Sequence, residues 1–144
     1  MKINNQVSNL SKAWRRGFEV ARAASLHSNS TQIGYRLGAA LYAGSTLLSV
    51  GYNEYGKTTT RSRHKTYDGN VHAEAMSLVR RWHYEKSNNL ILYVSRTKTN
   101  SERTEYANAC SRPCAHCMEL IKLSQVRRVR FYDEHGMPAE IKVK

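Results

Sequence analysis

Two short motifs constrain this chain more than anything else in it: Val71-His72-Ala73-Glu74 and, further on, Ser111-Arg112-Pro113-Cys114-Ala115-His116-Cys117. They read H-x-E and then P-C-x-x-C. Cys114 and Cys117 are three apart, a spacing that puts both side chains on one face of a helix. Pro113 suits a first helical turn, where no backbone N–H is required. Thiols at a helix N-terminus sit at the positive end of the dipole, which favours thiolate. Two thiolates and a neutral imidazole are donors that zinc prefers, so His72, Cys114 and Cys117 are the predicted ligands. Three protein ligands leave one tetrahedral position open, the mark of a catalytic rather than a structural zinc. Water at such a position is acidified to a pKa of about 7. Glu74 lies two residues past His72, near enough to reach that water without serving as a ligand. It is the predicted proton carrier.

Each motif alone has a plainer reading. C-x-x-C can be a redox pair or half of a structural zinc site, and a single histidine is more often a core or surface residue. The conjunction carries the prediction: each motif opens an apparent helix, with an apparent strand between them. Cys110 is a competing thiol four residues before Cys114, but the Cys114 and Cys117 pair converges without further assumption. His116 lies between the cysteines and is turned away from their face.

The remaining pattern supplies a scaffold. Leu10 to His27 reads as a helix, with Leu10, Trp14, Phe18, Ala21 and Ala24 on one apolar stripe and Lys12, Arg15, Arg16 and Arg22 off it. Arg36 to Ala43 and Thr46 to Tyr52 read as antiparallel strands joined by a tight turn at Ala43-Gly44-Ser45. Tyr55 to Asn70 is a long polar loop running straight into His72. Its Lys57, Arg61, Arg63, His64 and Lys65 either meet phosphate or are simply solvated. A second helix is expected from His72 to about Lys86, with Trp82 in the core, and a buried strand from Asn89 to Val94. Arg96 to Ala109 reads as a second polar loop that delivers the chain to Ser111. A third helix follows from Cys114 to Ser124, then strands Val126 to Tyr132 and Glu140 to Lys144. The turn between these last two strands is too short for a parallel crossover, so they are expected to form an antiparallel hairpin.

The chain's 144 residues correspond to one domain, taken as 1–144. No run of about 20 apolar residues suggests a membrane span. The opening Met-Lys-Ile-Asn-Asn-Gln lacks an apolar signal region. Three cysteines, two of them assigned to metal, fit a reducing cytoplasm better than a disulfide framework. A formal net charge of +12 points to an anionic partner, either nucleotide phosphate or nucleic acid.

H-x-E ahead of P-C-x-x-C matches the known signature of zinc nucleobase deaminases. The element order resembles the cytidine deaminase superfamily over nearly the whole chain. That resemblance implies a three-layer α/β/α fold around a five-stranded mixed sheet, with Zn2+ on His72, Cys114 and Cys117 and Glu74 as proton shuttle. By the same resemblance Asn53 contacts the substrate sugar, the Ala73 N–H holds the base, Ser111 offers a backbone contact to the amino group, and subunits complete one another's sites in a homo-oligomer. The closing hairpin is similar to nucleoside-type cytidine deaminases, whereas the cysteine motif and basic loops look more like deoxycytidylate-type enzymes.

Three functions follow for testing. The first is hydrolytic deamination of cytosine in a free pyrimidine nucleoside or nucleotide, with Arg61, Arg63 and Lys65 holding a 5′-phosphate. The second is deamination of cytosine or adenine within RNA or single-stranded DNA. The third is a binding module with structural zinc, which would need Cys110 or His116 as a fourth ligand.

Overall fold

The computed structural model describes residues 10–28, 36–54, 71–80, 89–99 and 106–143. Helix α1 spans Lys12–Ser25, strand β1 Arg36–Ala43, β2 Thr46–Tyr52, helix α2 Ala73–Arg80, β3 Leu90–Thr99, β4 Tyr106–Ala109, helix α3 Ala115–Leu123, β5 Arg128–Tyr132 and β6 Pro138–Lys142.

The strands form one mixed sheet in the order β2-β1-β3-β5-β6, with β4 attached to β3 off this path. β1 is antiparallel to both β2 and β3, β3 and β5 are parallel, and β5 and β6 form the expected antiparallel hairpin. The one parallel pair is bridged by α3, long enough for the crossover that such a pair requires. At the β1–β2 turn Gly44 adopts φ +60°, which glycine reaches without a Cβ penalty.

Side-chain alternation divides the sheet into two cores. On one face Leu41, Leu92, Val94, Val129 and Phe131 pack with Ala75 and Leu78 of α2 and Leu120 and Ile121 of α3. On the other, Ala40, Tyr42, Tyr93 and Tyr132 pack with Phe18 and Ala21 of α1, and Leu10 and Trp14 flank them. The apolar stripe of α1 thus buries as its period predicts, capped by Ser11, whose hydroxyl accepts the Trp14 N–H. The molecule is the three-layer α/β/α arrangement expected, α1 on one side and α2 with α3 on the other.

One expectation fails. Arg96 to Ala109 is not a loop throughout: β3 continues to Thr99, and Tyr106–Ala109 returns as β4 along it, pairing Arg96 with Ala109 and Lys98 with Ala107. β5 pairs β3 only through Ile91, Leu92 and Tyr93, so β4 takes the stretch of the same β3 edge that β5 leaves open. The sheet therefore has a sixth, short strand beside its five-strand path. Trp82 and the loop bearing Lys57, Arg61, Arg63, His64 and Lys65 lie outside the described residues.

Candidate functional site

His72 is the residue before α2, and its carbonyl accepts the Met76 N–H at 3.0 Å, placing it at the N-cap. Two features fix it there. Glu54 and Val71 exchange backbone hydrogen bonds of 2.9 Å each, one residue before His72. At Gly51 the β2 backbone presses on the first turn of α2. A Cβ there would collide with the Ala73 carbonyl oxygen and stand 2.6 Å from the Ser77 nitrogen.

Cys114 is the N-cap of α3, and Cys117 falls within its first turn. Pro113 therefore precedes the cap rather than opening the helix, a shift of one to two residues from the sequence expectation. The approach to Cys114 is fixed by Ser111, which is fully buried. Its hydroxyl donates to the Val94 carbonyl at 2.7 Å and accepts the Tyr132 N–H at 2.9 Å, while its own N–H donates to the Tyr132 carbonyl at 2.8 Å. β3 and β5 stop pairing at Tyr93 and Arg130, and Ser111 is wedged between them one step further on. The two parallel strands part at this point, β5 ending at Tyr132 while β3 runs on to Thr99.

These constraints bring the three predicted ligands together. Nδ1 of His72 is 3.3 Å from Cys117 Sγ and 3.7 Å from Cys114 Sγ, and the three ligand atoms lie within 4.8 Å of one another. With Zn–N of about 2.0 Å and Zn–S of about 2.3 Å, a tetrahedral centre separates its nitrogen and sulfur ligands by about 3.5 Å. The observed distances bracket that value. Among the described residues no fourth histidine, cysteine or carboxylate joins the group. Cys110 is half-buried outside it, and His116 is exposed.

Burial, then the charges of Glu74 and Cys114, push the Cys117 thiol far up. Desolvation thus outweighs the helix dipole, contrary to the expectation that the dipole would leave thiolate favoured. A divalent ion reverses the balance, because a coordinating thiol is deprotonated. Glu74 is buried on the first turn of α2, within hydrogen-bonding reach of Cys117. Desolvation raises its carboxyl above the ordinary carboxylate range, with a backbone hydrogen bond and His72 opposing. The donor set and its spacing fit zinc.

The other predicted residues separate into three groups. Asn53 is buried at the end of β2, its Oδ1 accepting the Leu37 N–H at 2.8 Å and its N–H donating to the Leu37 carbonyl at 3.2 Å. Ala73 is buried at the first position of α2, where the backbone N–H has no intrahelical acceptor. Ser111 has committed its hydroxyl and N–H to the sheet, so its backbone carbonyl is what it can offer a ligand. Arg61, Arg63 and Lys65 lie outside the described residues.

Sequence reasoning left Arg96 and Lys98 without a role by placing them in a loop. Period-two alternation with β-branched residues, Arg96-Thr97-Lys98-Thr99, was the signal for a strand.

The family model described as "Cytidine and deoxycytidylate deaminase zinc-binding region" matches residues 12–133. No curated protein sequence matches the chain. Among solved structures, it is similar to the cytidine deaminase of Burkholderia pseudomallei, with a TM-score of 0.60 and 14% identity over 92% of this chain and 93% of that one. It is also similar to the dCMP deaminase of cyanophage S-TIM5 in apo form, with a TM-score of 0.56 and 21% identity over 83% and 82%. The same phage enzyme in complex with dCMP and dUMP matches with a TM-score of 0.52. At these identities the two proteins attest the fold. The family match runs from α1 to the end of β5 and takes in every element that builds the metal centre, and the chain belongs to the cytidine and deoxycytidylate deaminase family of zinc-dependent deaminases.

Proposed function

We propose that this protein hydrolytically deaminates cytosine in a free nucleoside or nucleotide, converting cytidine, deoxycytidine or dCMP to the uracil form. The observation that carries this reading is the juxtaposition of His72, Cys114 and Cys117 with the buried carboxyl of Glu74. When bound, zinc supplies Lewis acidity and a water made nucleophilic at neutral pH. The reaction adds water at C4 and expels ammonia. Glu74 takes a proton from the attacking water and passes it to N3, then takes the remaining hydroxyl proton of the C4 adduct and passes it to the departing amine. Its raised affinity for a proton suits a group that must hold one between two transfers. In this reading the Ala73 N–H holds the base, Asn53 the sugar, and the Ser111 carbonyl the amino group before it leaves. The 55–70 loop, with Arg61, Arg63 and Lys65, enters at the Glu54–Val71 bridge beside His72 and is the proposed holder of a 5′-phosphate.

The second reading, deamination within RNA or single-stranded DNA, is favoured by the net charge of +12. The placement of α1 weakens it: Lys12, Arg15, Arg16 and Arg22 are on a helix across the sheet from the metal centre. A strand at the metal centre would not run along them.

A substrate panel tests both readings. Zinc-loaded protein is incubated with cytidine, deoxycytidine, dCMP, dCTP, and cytosine- or adenine-bearing RNA and single-stranded DNA, and base conversion is followed by mass spectrometry. Conversion of free nucleosides or nucleotides is the expected result. Conversion confined to strands would replace it with the second reading.

A further inference from the structure

The β3–β4 hairpin carries two cations on the face of the sheet that bears the metal centre. The facing is fixed by partners. Ser95 Oγ donates to the Phe18 carbonyl at 3.3 Å and Thr97 Oγ1 shares a 2.7 Å hydrogen bond with Ser25, so both are held against α1. The intervening residues of the strand must point the opposite way. Leu92 and Val94 do so, in the core beneath α2 and α3. Arg96 and Lys98 continue that row beyond the core's edge, Arg96 half-buried and Lys98 exposed.

The register places the near end of this row, Arg96, beside residues of the site. Arg96 pairs across β1 with Leu37, whose N–H and carbonyl both bond Asn53. On its other side it pairs with Ala109, two residues before Ser111. Arg96 therefore lies between the proposed sugar contact and the loop that carries Cys114. The hairpin cannot swing freely, because the Ser111 hydroxyl on Val94 staples its base.

We propose that Arg96 and Lys98 form a phosphate-recognition edge of the site. Its ligand is the phosphate attached to the pyrimidine nucleoside at the metal centre. The assignment rests on the deaminase reading and adds to it a discriminating group on this hairpin, separate from the 55–70 loop. A guanidinium and an ammonium two positions apart on one strand face, about 7 Å between Cα atoms, can both reach one phosphate.

The test compares the parent chain with an Arg96→Ala/Lys98→Ala double variant, both zinc-loaded. Lys122→Ala, on the outer end of α3, serves as a charge control. The readout is the ratio of kcat/KM for dCMP to that for deoxycytidine, with a short cytosine-bearing DNA strand assayed at low and high salt. Charge-assisted hydrogen bonds of this kind predict a fall in the ratio of about tenfold to a hundredfold, carried by KM, with the control ratio unchanged. A fall seen for the strand instead, with a shallower salt dependence in the double variant, assigns the edge to phosphodiester rather than monoester. An unchanged ratio and unchanged strand turnover would overturn the proposal. Isothermal titration with dUMP and deoxyuridine separates it from the deaminase reading. If no cytosine compound is converted, a parental preference for dUMP that the double variant loses still supports the edge. No parental preference would overturn it.

Discussion

Glu74 and Cys117 share a buried corner: burial raises both groups, the Glu74 charge pushes the Cys117 thiol up further, and the hydrogen bond from Cys117 opposes the rise at Glu74. Such a corner is unfavourable for thiolate and carboxylate together unless a cation compensates. Cys117→Ser, which removes the thiolate, should lower bound zinc from about one per chain to a small fraction, measured by elemental analysis after dialysis. Cys110→Ser, outside the ligand group, should keep it. Gly51 acts at the same scale through space rather than charge. Gly51→Ala forces a methyl into the Ala73 carbonyl and should destabilise the fold by about 1–3 kcal/mol or more, read as a lower urea midpoint. The grouping of His72, Cys114 and Cys117 was legible in sequence because such donor sets are tied to spacing of two or three residues. The direction of the Cys117 shift was not legible, since it depends on burial that the local motif does not encode.

At the scale of elements, the metal loop is held by a wedge rather than by helix propensity. Ser111→Ala would leave the Val94 carbonyl and the Tyr132 N–H buried without their partner. The expected loss is about 1–3 kcal/mol, measurable by chemical denaturation, with zinc affinity weakened in parallel. The β5–β6 turn has its own lock. Asp133 accepts the N–H groups of Met137 and His135, chiefly the former, and is held below the ordinary carboxylate range. A depressed folded value means that this stabilisation is present above the unfolded-state pKa of about 4 and is lost as pH falls through the folded one. The melting temperature of the parent should therefore exceed that of Asp133→Asn at pH 7, with the gap closing in strong acid. A gap that persists there would assign the effect to geometry rather than charge. The hairpin itself was legible, because a five-residue turn admits no crossover. β4 was not: Tyr106-Ala107-Asn108-Ala109 has no apolar alternation, and its pairing with β3 rests on backbone bonds that side-chain patterns do not report.

For the molecule as a whole, the two faces of the sheet have separate tasks. The α2–α3 face builds the metal centre, and the α1 face is an aromatic core in which Phe18 lies 5.6 Å from Tyr93 and 4.4 Å from Tyr132, centroid to centroid. Arg130 closes that core. It is buried, pairs with Glu140 at 2.8 Å, and stacks 4.3 Å from the Trp14 ring centroid. Glu140→Ala should cost about 3 kcal/mol by leaving that guanidinium without its carboxylate. Turnover should be retained at temperatures where the variant is folded, since the pair stands across the sheet from the site. The overall charge was legible and its arrangement was not. Composition cannot say that the α1 cations lie on one face of the sheet while Arg96 and Lys98 continue the row on the other.

The central claim is that Glu74 moves protons in a zinc-dependent deamination while taking no part in holding the metal. The direct measurement is zinc stoichiometry and cytosine turnover in the parent and in Glu74→Ala, assayed side by side on deoxycytidine and dCMP. The account predicts equal zinc, about one per chain, with turnover lowered by about 10²–10⁴ in the variant. Turnover retained in Glu74→Ala would contradict the mechanism. Zinc lost along with turnover would instead make Glu74 part of the metal's own support.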